Sequence, residues 1–417
     1  MDPDNYQYSL VEELSFIRPG GTEEELRAAN ILLREIRDAG GEGSLMDFQV
    51  PGYRLEKCAM RVTSPFRREI PVLPYGLAAS LPEGGKEFKL YYAARAAEED
   101  FLGMEDLSDT AVLVNELKLD IYKRLCQKKA GAVLVICGKY YQSLAESSTY
   151  SRNLRPKFLE NGTLSVFMIA APDATDLLRD EAQTVCLEMR QESTENTSRN
   201  VLAVIPGTDP AKESIVLTAH YDSVPVGTGS WDNATGSATL MYVYRHFMKN
   251  PPRRTMRFIW CGSEEMGLLG SRAYVERNPD LIPEIGFCFN FDMCGTVLGP
   301  NQIFVTGSPE LETYVRQFCR HEGYSADIKV TVHSSDSAPF ADKGIPGIGL
   351  SRGTRTSEIH TQHDLLFPLG AKQLKENGDF AVKMISHVTN GCMLPVPTGM
   401  PEDMQKELDK YFQRDTK

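Results

Sequence analysis

The sequence predicts an α/β fold: a mixed central sheet flanked by helices, interrupted by an inserted β-rich α/β domain. Three observations predict it. From about residue 184 onward, short apolar runs rich in β-branched and aromatic residues alternate with longer helical patterns. An amphipathic helix stands near the start of the chain. Between them, residues 52–182 have a different texture, with short β-like runs and few helices.

Residues 22–38 (TEEELRAANILLREIRD) carry apolar residues at helical spacing, with Thr22 and Glu25 set as a capping box and Gly40-Gly41 as a stop. A short strand is expected at 45–52, ending at Pro51-Gly52. In the next stretch, Glu69–Leu73, Lys89–Ala93, Thr110–Leu113 and Ala132–Cys137 read as strands and Asp120–Lys129 as a helix. Beyond it, strands are expected at Val185–Met189, Asn200–Val204, Ser214–Ala219, Thr255–Trp260, Gly286–Phe291, Gln302–Val305 and Gly347–Leu350. Helices are expected at Thr235–Lys249, Leu268–Arg277, Leu311–Glu322 and Ala371–Val388. The domains predicted are therefore 1–51 with 183–398, the insertion 52–182, and a peripheral C-terminal helix within 399–417.

The balance of 57 acidic against 45 basic residues argues against nucleic acid, which needs clustered Lys and Arg. Nine scattered cysteines without a CxxC pair fit buried thiols in a reducing compartment, not a disulfide framework. The start, MDPDNYQYSLVEELSF, lacks a basic stretch followed by a long apolar run, and no apolar run approaches the ~18 residues of a membrane span. A cytoplasmic protein without membrane contact is the expectation; nothing in the chain sets its oligomeric state.

Open α/β sheets bind ligands beyond the carboxyl ends of their strands. His220-Tyr221-Asp222 follows Ser214–Ala219, Cys261-Gly262-Ser263-Glu264-Glu265 follows Thr255–Trp260, and Asp292 follows Gly286–Phe291. Each is weak alone: a lone His is commonly structural, a Glu-Glu pair is commonly solvated, and Asp232 in Trp-Asp-Asn-Ala-Thr-Gly also fits a helix cap. Three successive strands ending in metal-binding groups carry the argument. Asp222 is suited to orient the His220 imidazole by accepting its second N–H, and Asp364 to do the same for His360 in His360-Thr-Gln-His-Asp364. By spacing alone, His363 competes with His360 and Glu264 with Glu265. Asp232, Glu265 and Asp292 with two histidines and a bridging hydroxide nearly balance two divalent cations, and this mixed ligand set suits zinc, with manganese or cobalt as substitutes. Glu264, beside the ligand Glu265, is placed to act as general base on an activated water.

These residues resemble the M28 metallopeptidases, zinc aminopeptidases whose relatives include glutamate carboxypeptidases and glutaminyl cyclases. The resemblance rests on HYD (220–222), WDNATG (231–236), GSEEMGLLGS (262–271), FNFDMCG (289–295), SDSAPF (335–340) and IHTQHD (359–364), in the family's order. It implies the zinc exopeptidase fold and two zinc ions. His220, Asp292 and a bridging Asp232 would hold one; Asp232, Glu265 and His360 would hold the other, with Glu264 as base. It implies hydrolysis of the N-terminal residue from peptides. Residues 109–136 and 165–178 resemble part of a protease-associated domain. Ile359 departs from the relatives that place a Tyr there to steady the oxyanion. Arg352 and Arg355 keep open a carboxypeptidase or dipeptidase, which needs a cation for the substrate carboxylate. A one-zinc glutaminyl cyclase and a non-catalytic binding protein on the same scaffold also stay open.

Overall fold

The computed structural model describes residues 5–209, 213–353 and 358–414. The chain forms two compact units, residues 1–50 with 197–417, and residues 51–196.

In the first unit, four neighbouring strands run parallel: Gly347–Arg352, Ile285–Phe291, Ser214–His220 and Met256–Cys261. Antiparallel neighbours flank them. On one side is Asn301–Thr306, with Ala326–Val330 parallel to it at the edge; on the other are residues 201–205 of the strand Thr184–Ile205. Every residue of Ser214–His220 and Ile285–Phe291 is buried, as expected for parallel strands covered on both faces. Alternation divides their side chains. Ile215, Leu217, Phe287 and Phe289 join a large core with the helices Tyr6–Leu14, Glu23–Asp38, Thr235–Lys249 and Ala371–Asn390. Val216 and Cys288 face the opposite layer, with Tyr274 and Val275 of the helix Leu269–Arg277. The C-terminal helix Glu402–Tyr411 buries Met404 and Leu408 against Leu268, Val332 and Ala338.

The second unit has its own core. Four parallel strands, Lys86–Tyr92, Thr110–Val114, Ala132–Cys137 and Val166–Ala170, are edged by antiparallel Val72–Pro74 and by residues 184–187.

The structure differs from the sequence expectations in particular places. The runs at 185–189 and 200–204 are one strand, Thr184–Ile205, whose polar middle hides its continuity. The strand expected at 45–52 continues through Pro51-Gly52 as Gly43–Ser64. The change of texture near 183 thus marks the start of a strand, whereas the compact units divide at 50/51 and 196/197. Tyr6–Leu14, Val166–Ala170, Ala171–Arg179 and Ala326–Val330 are additional elements; the last is a short, half-exposed edge strand without an apolar run. Among the described residues no helix is long and apolar enough to cross a membrane.

Candidate metal centre

All four parallel strands deliver a candidate residue at their carboxyl ends. His220 closes its strand, Glu264 and Glu265 follow Met256–Cys261, Asp292 follows Ile285–Phe291, and His360 lies beyond Gly347–Arg352. Asp232 comes from the segment just before the helix Thr235–Lys249.

Buried polar side chains staple these loops together. Asn233 donates to the Phe291 carbonyl at 2.8 Å, while its Oδ1 accepts from the amides of Gly236 at 2.8 Å and Met293 at 3.0 Å. Gly236 is required by this close approach: a Cβ there would lie 2.3 Å from both the Phe291 carbonyl and Asn233 Oδ1. Asp222 accepts from the amides of Glu264 at 3.0 Å and Glu265 at 3.2 Å. Asp364 accepts from the amides of Trp231 at 2.7 Å and Asp232 at 3.1 Å. Ser263, Met293 and His360 all hold φ near +60°, a costly conformation for a side chain, and each is at or beside a candidate site residue.

The candidate ligand atoms form two groups that share Asp232, His220 with Asp292 and Glu265 with His360. Asp232 Oδ1 lies 3.1 Å from His220 Nε2, which is 3.6 Å from Asp292 Oδ1. Asp232 Oδ2 lies 3.2 Å from His360 Nε2, which is 3.0 Å from Glu265 Oε2. Two donors each about 2.0–2.1 Å from a tetrahedral zinc stand roughly 3.4 Å apart, so these spacings suit a shared cation. Asp292 Oδ1 and Glu265 Oε1 are buried without hydrogen-bond partners, as carboxylate oxygens meant for a cation would be. Chemically, the donor set fits zinc.

The electrostatics agree. Burial alone would raise Asp232, but hydrogen bonds from both imidazoles hold it well below the usual carboxylate range. Hydrogen bonds to Asp232 and Glu265 lift His360 to about 10. Burial, reinforced by Asp232, raises Glu265 to about 7. The half-buried Glu264 is pushed well above the usual range, first by desolvation and, against the pull of His220, by Glu265, Asp336 and Asp292. A cluster this rich in carboxylates holds protons until cations replace them.

Of the competing candidates, Glu265 and His360 belong to the groups, whereas His363 is exposed and Glu264 stands beside them. The acceptors expected for the imidazoles have other work. Asp222 lies 3.5 Å from His220 Nδ1, and its two oxygens also accept from the 264–265 amides. Asp364 serves the backbone before Asp232. Arg352 donates to the Thr296 carbonyl at 2.6 Å and to Asn301 Oδ1 at 2.7 Å; Arg355 lies outside the described residues.

Two charged residues of the site escaped sequence reasoning. Arg18 is fully buried and donates to the carbonyls of Leu14 at 2.7 Å and Gly229 at 2.8 Å, as well as to those of Tyr221 and Thr228. It pins the two loops that carry His220 and Asp232, and burial lowers it to about 10. Asp336, in the SDSAPF motif, is fully buried near Cys261, and burial raises it to about 6. A charged residue far away in sequence gives no local signal of either placement.

Residues 200–385, which contain every candidate ligand, match the model of peptidase family M28. Residues 200–385 are thus a peptidase family M28 domain. With that domain the protein is an enzyme, a hydrolase acting on peptide bonds. It is similar to aminopeptidase YwaD of Bacillus subtilis, 26% identical over 397 residues that cover 91% of this chain and 84% of that protein. It is 32% identical over 228 residues to leupeptin-inactivating enzyme 1 of Streptomyces exfoliatus, covering 49% of this chain and about half, 51%, of that relative. Among solved structures, a zinc aminopeptidase from Bacillus subtilis superposes with a TM-score of 0.77 at 23% identity, over 93% of this chain and 95% of the other. An aminopeptidase from Aneurinibacillus sp. strain AM-1 gives 0.75 at 20% identity, over 96% and 97%. These two likenesses establish a shared fold.

Proposed function

We propose that this M28 peptidase is a zinc aminopeptidase that works with two metal ions and uses Glu264 as general base. One observation carries the reading: the two oxygens of Asp232 turn to different histidines, each within 3.2 Å of an Nε2. His220, Asp232 and Asp292 would hold one ion, and Asp232, Glu265 and His360 the other; manganese or cobalt could substitute. Zinc held there supplies a lowered pKa for an attacking water and polarisation of the scissile carbonyl. Glu264 accepts the proton of that water and delivers it to the departing amine. Desolvation, with the neighbouring carboxylates, raises Glu264 above the usual carboxylate range, which favours its keeping the proton it takes until the amine departs. Asp222 keeps the Glu264–Glu265 backbone in place during the exchange.

The site favours a free N-terminus over a free C-terminus. The nearby arginine suggested for a substrate carboxylate, Arg352, is engaged by Thr296 and Asn301. The names of the similar aminopeptidases point the same way. Residues 51–196, with their own core, fit a protease-associated type of insertion. All nine cysteines are free thiols, which fits a reducing compartment such as the cytoplasm.

The test is a panel of aminoacyl arylamides and N-acetylated controls with zinc analysis. Free-amine substrates should be hydrolysed, blocked ones spared, and about two zinc ions found per chain. Glu264→Gln should lower kcat by at least ~100-fold while keeping the metal. Release of C-terminal residues, or one zinc per chain with cyclisation of N-terminal Gln, would overturn the reading.

A further inference from the structure

Glu25 lies outside the matched region 200–385, near the start of the helix Glu23–Asp38. Thr22 caps that helix by accepting from the Glu25 amide at 3.2 Å. A capping box would return the Glu25 carboxylate to the Thr22 amide, in reach of water. Instead the side chain turns inward and is fully buried. Its Oε2 accepts from the Gly21 amide at 2.8 Å, and its Oε1 accepts from the Ser198 hydroxyl at 2.6 Å. Ser198 in turn accepts from Ser263 at 2.8 Å. Ser263 holds φ +53° and directly precedes Glu264.

The surroundings leave this chain of bonds no slack. A Cβ on Gly262 would lie 2.6 Å from Glu25 Oε1, and one on Gly20 would lie 2.1 Å from Ser263 Oγ. Burying a carboxylate is expensive, and a helix cap does not need it. The Glu264–Glu265 turn is thus held twice. Asp222 grips its amides, and Glu25 holds Ser263, the residue before it, closely through the Ser198 hydroxyl and more weakly by a direct contact at 3.4 Å.

We propose that Glu25 is a positioning residue for peptide hydrolysis: through Ser198 and Ser263 it fixes the strained turn that aims Glu264. The inference rests on Glu264 being the general base. Because Glu25 touches neither substrate nor metal ligands, its loss should slow the chemical step and spare binding.

The test is steady-state kinetics on an aminoacyl arylamide with the zinc-loaded full chain, comparing Glu25→Ala, Glu25→Gln, Ser198→Ala and Glu264→Gln. Glu25→Ala and Ser198→Ala should each lower kcat about tenfold or more, with KM within about twofold and zinc content unchanged. Glu25→Gln should recover most of the rate. Its carbonyl can accept from Gly21 and its amide can donate to Ser198, reversing the hydroxyl chain without breaking it. Should Glu25→Ala fail to fold, Ser198→Ala decides, since it removes one hydroxyl oxygen and leaves the carboxylate. Wild-type kcat in Ser198→Ala, or a rise in KM alone, overturns the inference. If Glu264→Gln is inactive in the same assay, the functional reading survives that outcome; if Glu264→Gln is active, the reading itself falls.

Discussion

The two halves of the candidate centre are built differently. His220 and Asp292 sit directly at strand ends, with side chains only 1% and 7% exposed. His360 lies on a loop beyond its strand and is 42% exposed. One half belongs to the sheet, and the other faces solvent. Shape and stability are therefore expected to depend on the inner half, with substrate entry and metal exchange on the outer.

Replacing the two histidines is the strongest way to break that contrast. In metal-free protein, His220→Ala strips the central partner from Asp222, Asp232 and Asp292, and should lower Tm by more than about 5 °C. His360→Ala should shift Tm by less than about 2 °C, because a solvent-screened pair stabilises little. With zinc restored, both should lose activity by ~100-fold or more. Equal thermal shifts would erase the distinction. A chelator gives a kinetic version: metal should leave in a fast and a slow phase, and His360→Ala should abolish the fast one.

Arg18→Met sharpens the picture of the inner half. It leaves at least four backbone carbonyls without their donor and should cost about 3 kcal/mol or more in denaturant unfolding. Retained stability would mean that the 221–229 loops hold themselves.

The smallest expected effect concerns pH. Burial raises Glu25 to about 8, above its ordinary 4.5, so the folded state binds a proton more tightly than the unfolded chain. That favours folding at acid pH, and the benefit is lost as pH rises from about 4.5 through 8. Wild-type Tm should therefore fall by about 2–3 °C more between pH 6 and pH 9 than that of Glu25→Gln, which cannot ionise. Parallel profiles would show that Glu25 titrates normally.

Much of this was legible because the chemistry follows the strands. The fully buried runs at 214–220 and 285–291 are unmistakable, and the polar residues just beyond them are conspicuous by position. What escaped depends on tertiary reach. Arg18 and Glu25 meet partners some 200 residues away, and Asp364 turns to an amide that no spacing rule connects to it. Thr184–Ile205 was hidden for a different reason: its middle is polar and half exposed, so hydrophobic pattern alone cannot bridge it.

The hold of Asp364 on the two amides at Trp231 and Asp232 ties the mouth of the centre to its shared carboxylate. The segment bearing the exposed histidine cannot drift without dragging the bridge along. Any change in the spacing between 360 and 364 would therefore be felt at Asp232.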